Sequence, residues 1–107
     1  MALEIHIREY TTTPGARYVK DGPYSGEDFR NKHLEPLFKD ETNKEEITVH
    51  LDGTEGFATS FLEEAFGGLA RIFGVDRCKK RLRFVSNEDG LLVEEIEQYI
   101  QEAFGRE

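Results

Sequence analysis

Thr59 and Ser60 are the side chains whose type and position point most directly to chemistry. They stand where a Gly- and Thr-rich turn, Asp52-Gly-Thr-Glu-Gly56, passes into a run of helical periodicity. A hydroxyl in the first turn of a helix lies beside backbone N–H groups that lack an intrahelical acceptor, at the positive end of the helix dipole. That position suits two roles, a helix cap or a carrier of phosphate. Ser60 and Glu63 have the spacing of a capping box, so a cap alone accounts for the hydroxyl. A phosphate there gains from the dipole and is repelled by Glu63 and Glu64 in the same turn. A second group, Ser25, Glu27 and Arg30, sits at the start of an earlier helical run and offers an alternative, an anionic ligand held near that helix N-terminus. Ser25 also fits a capping box with Asp28.

Other chemistries lack their residues. Asp52-Gly53-Thr54 at a strand end is similar to the turn of phosphatases with an aspartyl nucleophile, but His50 occupies the position of that nucleophile. The carboxylates do not alternate as a calcium loop requires. No Gly-rich phosphate loop with its Lys is present, and no nucleophile elbow. His6, His33 and His50 have no metal-ligand spacing, and His6 and His50 fall on the polar phases of strands, so neither is read as a ligand. Cys78 is the only cysteine, which rules out an internal disulfide and makes a reducing cytoplasm the expected setting. Its basic neighbours favour a thiolate, although a lone cysteine is read as incidental. No metal and no cofactor is expected.

Composition narrows the class. A chain of 107 residues with 34% charged and 37% hydrophobic residues is expected to fold as a single domain over 1–107 with one core. Its net charge of −8 argues against nucleic acid as the partner, because phosphate contacts need a positive footprint. The charge is uneven. Arg71, Arg77, Lys79, Lys80, Arg81 and Arg83 account for six of the 14 basic residues and read as a solvated helix end leading into a strand. Neither an apolar leader segment nor a membrane-spanning run is seen.

The elements that must position the hydroxyls follow from two periods. Leu3, Ile5 and Ile7 alternate with polar residues, as do Ile47, Val49 and Leu51, and Leu82 to Val85 reads as a buried strand. Ala16 to Val19 is expected to return as a short second strand after the Pro14-Gly15 turn. Helices are predicted near 26–39, 60–73 and 89–104, with Pro36 kinking the first and Gly74 ending the second. Gly67 and Gly68 lie inside the second helix, where each costs about 1 kcal/mol relative to Ala. Close helix–sheet packing or a flat partner surface explains them. The sum is an α/β domain with a mixed sheet of about four to five strands and flanking helices.

The strand, the Asp-Gly-Thr turn, and Ala58-Thr59-Ser60 opening a helix with Gly67-Gly68 resemble the STAS domains, which include the bacterial anti-sigma factor antagonists. More closely, Tyr24-Ser-Gly-Glu-Asp-Phe-Arg30, Leu51-Asp-Gly-Thr54 and Ser60-Phe-Leu-Glu-Glu-Ala-Phe-Gly67 look like the STAS-like domains of unknown function. In antagonists with the motif, the second of two hydroxyl residues is phosphorylated by a kinase of the histidine-kinase-like ATPase fold, and the unphosphorylated form binds that kinase. Ser60 matches that residue and Thr59 the one before it. Ala58 stands where the motif has Asp, and Phe61 where it has Gly.

The resemblance implies a small cytoplasmic regulatory module that binds a protein partner, has no catalytic activity and is switched by phosphorylation at Ser60. Asp52, Thr54, Glu55, Phe61, Glu63 and Glu64 would form the contact surface around it. The runner-up is a ligand-binding or enzymatic domain using the loop from Tyr24 to Arg30.

Overall fold

The alternation of apolar and polar residues in the strands predicts a sheet with one buried face, and the computed structural model, which describes residues 3–103, has that sheet. Three strands, β1 (Leu3–His6), β2 (Ile47–His50) and β3 (Leu82–Val85), lie in the order β1-β2-β3. All are parallel, and the register sets Leu3, Ile47 and Leu82 side by side, and likewise His6, His50 and Val85. The inner rows point into one core, where Ile47 and Val49 are fully buried with Phe29, Phe38, Phe61 and Phe66. The outer rows carry Glu4, His6, Thr48, His50 and Arg83, all exposed or half-buried.

Among the described residues, the sheet is therefore wholly parallel and three-stranded, not mixed and of four to five strands. The return strand expected at 16–19 does not form. Its backbone caps a helix instead: the Ala16 and Arg17 carbonyls accept Gly26 N–H at 2.9 Å and Glu27 N–H at 3.0 Å. These are two of the N–H groups that every helix start leaves open. A single 3₁₀ turn follows at Val19–Asp21. The first strand is also shorter than its alternation suggests, because the chain coils at α1 (Ile7–Tyr10).

Two long helical stretches cross between the strands, and each is interrupted by a π-helical turn. The first runs through α2 (Gly26–Phe29), a π turn at Arg30–Leu34 and α3 (Glu35–Phe38). Pro36 explains the interruption, since it has no N–H to donate and its ring crowds the carbonyl four residues back. The turn opens so that Glu35 N–H reaches the Arg30 carbonyl. The second stretch runs through α4 (Thr59–Leu62), a π turn at Glu63–Gly67 and α5 (Gly68–Phe73). Gly74 ends it at φ +103°, backbone that glycine adopts without strain.

Two further helices complete the layer. The basic run expected as a helix end is a separate helix, α6 (Val75–Arg81), and α7 (Leu91–Glu102) closes the structure. Phe104, the expected end of the last helix, lies outside the described residues. No helix among those described is long and apolar enough to cross a membrane.

Candidate functional site

Ser60 occupies the first turn of α4 and is half-buried, but it does not cap the helix. Ala58 is the N-cap residue and makes no side-chain cap bond. The Ser60 hydroxyl donates instead to the Gly15 carbonyl at 3.1 Å, tying the loop after α1 to the start of α4. The capping box expected with Glu63 is absent because the N-cap falls two residues earlier, at Ala58, and Glu63 has other partners. Thr59 is exposed on the side of Tyr99 on α7. The two neighbouring hydroxyls thus face different parts of the molecule.

Glu63 and Glu64 are not a free acidic surface. The two π turns face one another, and Arg30 from the first bonds Glu64 from the second at 2.5 Å and also the Glu64 carbonyl at 2.8 Å. Its Nε holds Glu35 at 2.9 Å. Glu63 is gripped by Arg17 and Arg71, each at 2.6 Å. Burial pulls Arg30 down, but its hydrogen bonds with Glu64 and Glu35 outweigh that and leave it above its ordinary value. Burial likewise pushes Glu63 up, and the bonds from Arg71 and Arg17 outweigh it and hold its pKa below the ordinary range. A like-charge obstacle to a phosphate at Ser60 is therefore largely neutralised by three guanidiniums.

This network also gives the two helix glycines their reason. A Cβ on Gly68 would lie 2.4 Å from Arg30 Nη1, and one on Gly67 would lie 2.8 Å from the Glu63 carboxylate. They make room for the ion pairs, neither for sheet packing nor for an approaching partner. Position 26 is tighter still, since a Cβ there would meet the Phe61 carbonyl oxygen at 2.4 Å.

Several expected contact residues are used internally. Phe61 is fully buried in the core, which removes it from any partner surface: its ring packs against Phe29 and Phe57. The Asp52 carboxylate accepts the Asn87 and Glu88 N–H groups at 2.9 Å. Those bonds keep it below the ordinary carboxylate range and lock the loop before α7. Thr54 accepts Gly56 N–H at 3.3 Å. Glu55 remains exposed beside Thr59, on a shallow cavity of about 380 Å³.

The alternative group is no more open. Ser25 is fully buried and caps α2 by accepting Asp28 N–H at 3.0 Å. Glu27 accepts Val19 N–H at 2.9 Å, and Arg30 is enclosed by its carboxylates. The structure thus brings Glu63, Glu64 and Arg30 together as one network and keeps Ser25 and Glu27 apart from it.

Three features escaped the sequence reading. Tyr18, Val19 and Tyr24 are exposed apolar side chains on the loop that Ser60 and Arg17 tie down, and Tyr24 sits at φ +60°, unusual for a residue with a large side chain. The His6 and His50 rings stack at 4.1 Å, a neighbourhood that only strand register creates. Part of the basic run is consumed by the fold while Lys79, Lys80 and Arg83 stay exposed: Arg77 donates to the Phe38 carbonyl, and Arg81 to those of Glu45 and Leu37 at 2.9 and 2.6 Å. Cys78, between them, is buried, and burial pushes its thiol up to about 12 despite Arg77 and Arg81. It is not a reactive thiolate.

Comparison with known proteins gives one positive result. Residues 25–91 match the family described as STAS-like domain of unknown function, and the chain belongs to that family. No curated protein and no solved structure matches it.

Proposed function

We propose that this member of the STAS-like family is a cytoplasmic regulatory module that binds a protein partner through the loop of residues 13–24 and the start of α4, with Ser60 as a phosphorylation switch and no catalytic activity. The observation that carries the reading is the bond from the Ser60 hydroxyl to the Gly15 carbonyl. Phosphorylation removes that donor and places two negative charges near Arg17. The phosphate then competes with Glu63 for Arg17, so the loop loses its two side-chain ties to the second helical stretch and keeps its backbone bonds to Gly26, Glu27 and Ala58. Tyr18, Val19 and Tyr24 on that loop supply the apolar anchors a contact surface needs, and Thr54, Glu55 and Thr59 border it. A kinase of the histidine-kinase-like ATPase fold is the partner suggested by the resemblance to antagonists.

The test is incubation with such ATPases and ATP, read by intact mass and peptide mapping, beside binding measurements on Ser60→Asp and Ser60→Ala. Ser60→Asp is expected to lose partner binding with little change in melting temperature, while Ser60→Ala retains it. Normal binding by Ser60→Asp, or phosphate elsewhere only, defeats the reading. The anionic-ligand alternative at Ser25, Glu27 and Arg30 has no observation in its favour, because all three side chains already have internal partners.

A further inference from the structure

The outer face of the sheet gathers three donors that are remote in sequence. His6 on β1 and His50 on β2 are register partners, and Glu4 lies two residues before His6 on the same face. The imidazoles stack at 4.1 Å with an interplanar angle of 7°, and His50 Nε2 is 2.7 Å from Glu4 Oε1. One donor atom from each of the three lies within 4.8 Å of the others. From this juxtaposition we infer that Glu4, His6 and His50 form a binding site for a divalent first-row transition metal ion, of the Zn²⁺ class.

Donor chemistry sets the class of ion. Two imidazoles and one carboxylate suit zinc, nickel or copper, whereas magnesium and calcium prefer sets made of oxygen alone. Parallel strands bring opposite side chains to about 4.8 Å. Ligand atoms on a tetrahedral zinc stand about 3.3 Å apart, given bonds of about 2.0–2.1 Å. The donor atoms therefore have to close by about 1.5 Å, and the rings have to rotate out of their parallel stack, because each imidazole lone pair lies in its ring plane and must point at the ion. The Glu4 side chain is 62% exposed and that of His50 24%, so an ion reaches the cluster from the Glu4 side. The local field favours a cation, since Glu4 touches His50 and the Asp52 carboxylate lies within electrostatic reach of it. Three protein donors leave a fourth position for water or substrate, as in open zinc sites.

A mere stacked surface pair is the competing explanation, and it predicts no metal dependence. The experiment is calorimetric titration of the full chain with Zn²⁺, together with the visible spectrum of the Co²⁺ form. The wild type is expected to bind one equivalent, with His6→Phe and His50→Phe each weakening affinity by about tenfold or more. The phenyl rings preserve the stack and remove the donors, and melting curves in chelator check that both variants are folded. His33→Ala is expected to bind as the wild type does. Absence of saturable binding in the wild type overturns the proposal, as does wild-type affinity in the double variant. An equal loss in His33→Ala also overturns it, by moving the ion to the groove that Glu4, Glu9 and His33 line.

Discussion

Arg30 and Arg81 are both buried guanidiniums, 8% and 3% exposed, and the fold accommodates them in opposite ways. Arg30 is met by carboxylates, Glu64 and Glu35, on two helical stretches. Arg81 is met by carbonyl oxygens and lies 4.7 Å above the Phe38 ring. Its Nη2 is buried without a hydrogen-bond partner among the described residues, and burial, followed by the nearby Arg77 charge, lowers its pKa. A cation compensated by opposite charge couples the elements that supply that charge. A cation compensated by dipoles and a ring mainly fills space and closes helix ends. The first arrangement breaks badly when one partner goes, and the second is replaceable.

The contrast is sharpest in Arg30→Ala. It leaves the buried Glu64 with only its longer contacts to Arg17 at 3.4 Å and Arg71 at 3.8 Å and is expected to destabilise the fold by about 3–5 kcal/mol, measured by chemical denaturation. A loss under about 1 kcal/mol would mean that Arg17 and Arg71 suffice. Gly68→Ala attacks the same pair by crowding. Helix propensity alone favours Ala by about 1 kcal/mol, yet the new methyl displaces the guanidinium, and a net loss of about 1–3 kcal/mol is expected. A stabilised Gly68→Ala protein would show that Arg30 can leave without harm.

Acid offers a third way to separate the two sites. Glu63 has a depressed pKa in the folded state, so its contribution is complete above the ordinary glutamate value of about 4.3 and is lost as pH falls through the depressed value. Glu63→Gln is expected to flatten the acid limb of a melting-temperature profile, and an unchanged limb would place the acid-labile contact elsewhere. The smallest effect belongs to Arg81→Met, which keeps most of the volume and removes the unpartnered N–H. Stability within about 1 kcal/mol of the wild type is expected. A loss as large as that of Arg30→Ala would erase the distinction.

What the sequence disclosed follows the range of its signals. The two-residue period at Ile47-Thr-Val-His50 and the helical spacing from Phe61 to Phe73 are local, and those elements stand where they were expected. The Ser25 cap was equally legible, because its partner is three residues away. The parallel register was not, since nothing local distinguishes a strand that pairs in parallel from one that returns as a hairpin. Neither were the π turns, although Pro36 marked the first. Glu63 and Glu64 read as surface charge because their cations at positions 17, 30 and 71 come from three separate segments. His6 and His50 hid their proximity for the same reason.

The register has a kinetic consequence. Every neighbouring pair of strands joins residues roughly forty positions apart, with no hairpin to close first, so loop-closure entropy precedes any reward from sheet pairing. The helical crossovers can form early, whereas β1 waits for a partner that lies beyond the whole first helical stretch and its π turn. Amides of β1 are accordingly expected to be protected late in pulsed hydrogen exchange, after those of α4 and α5. The stacked histidines would then report the last step of folding, since their rings meet only when β1 has docked on β2.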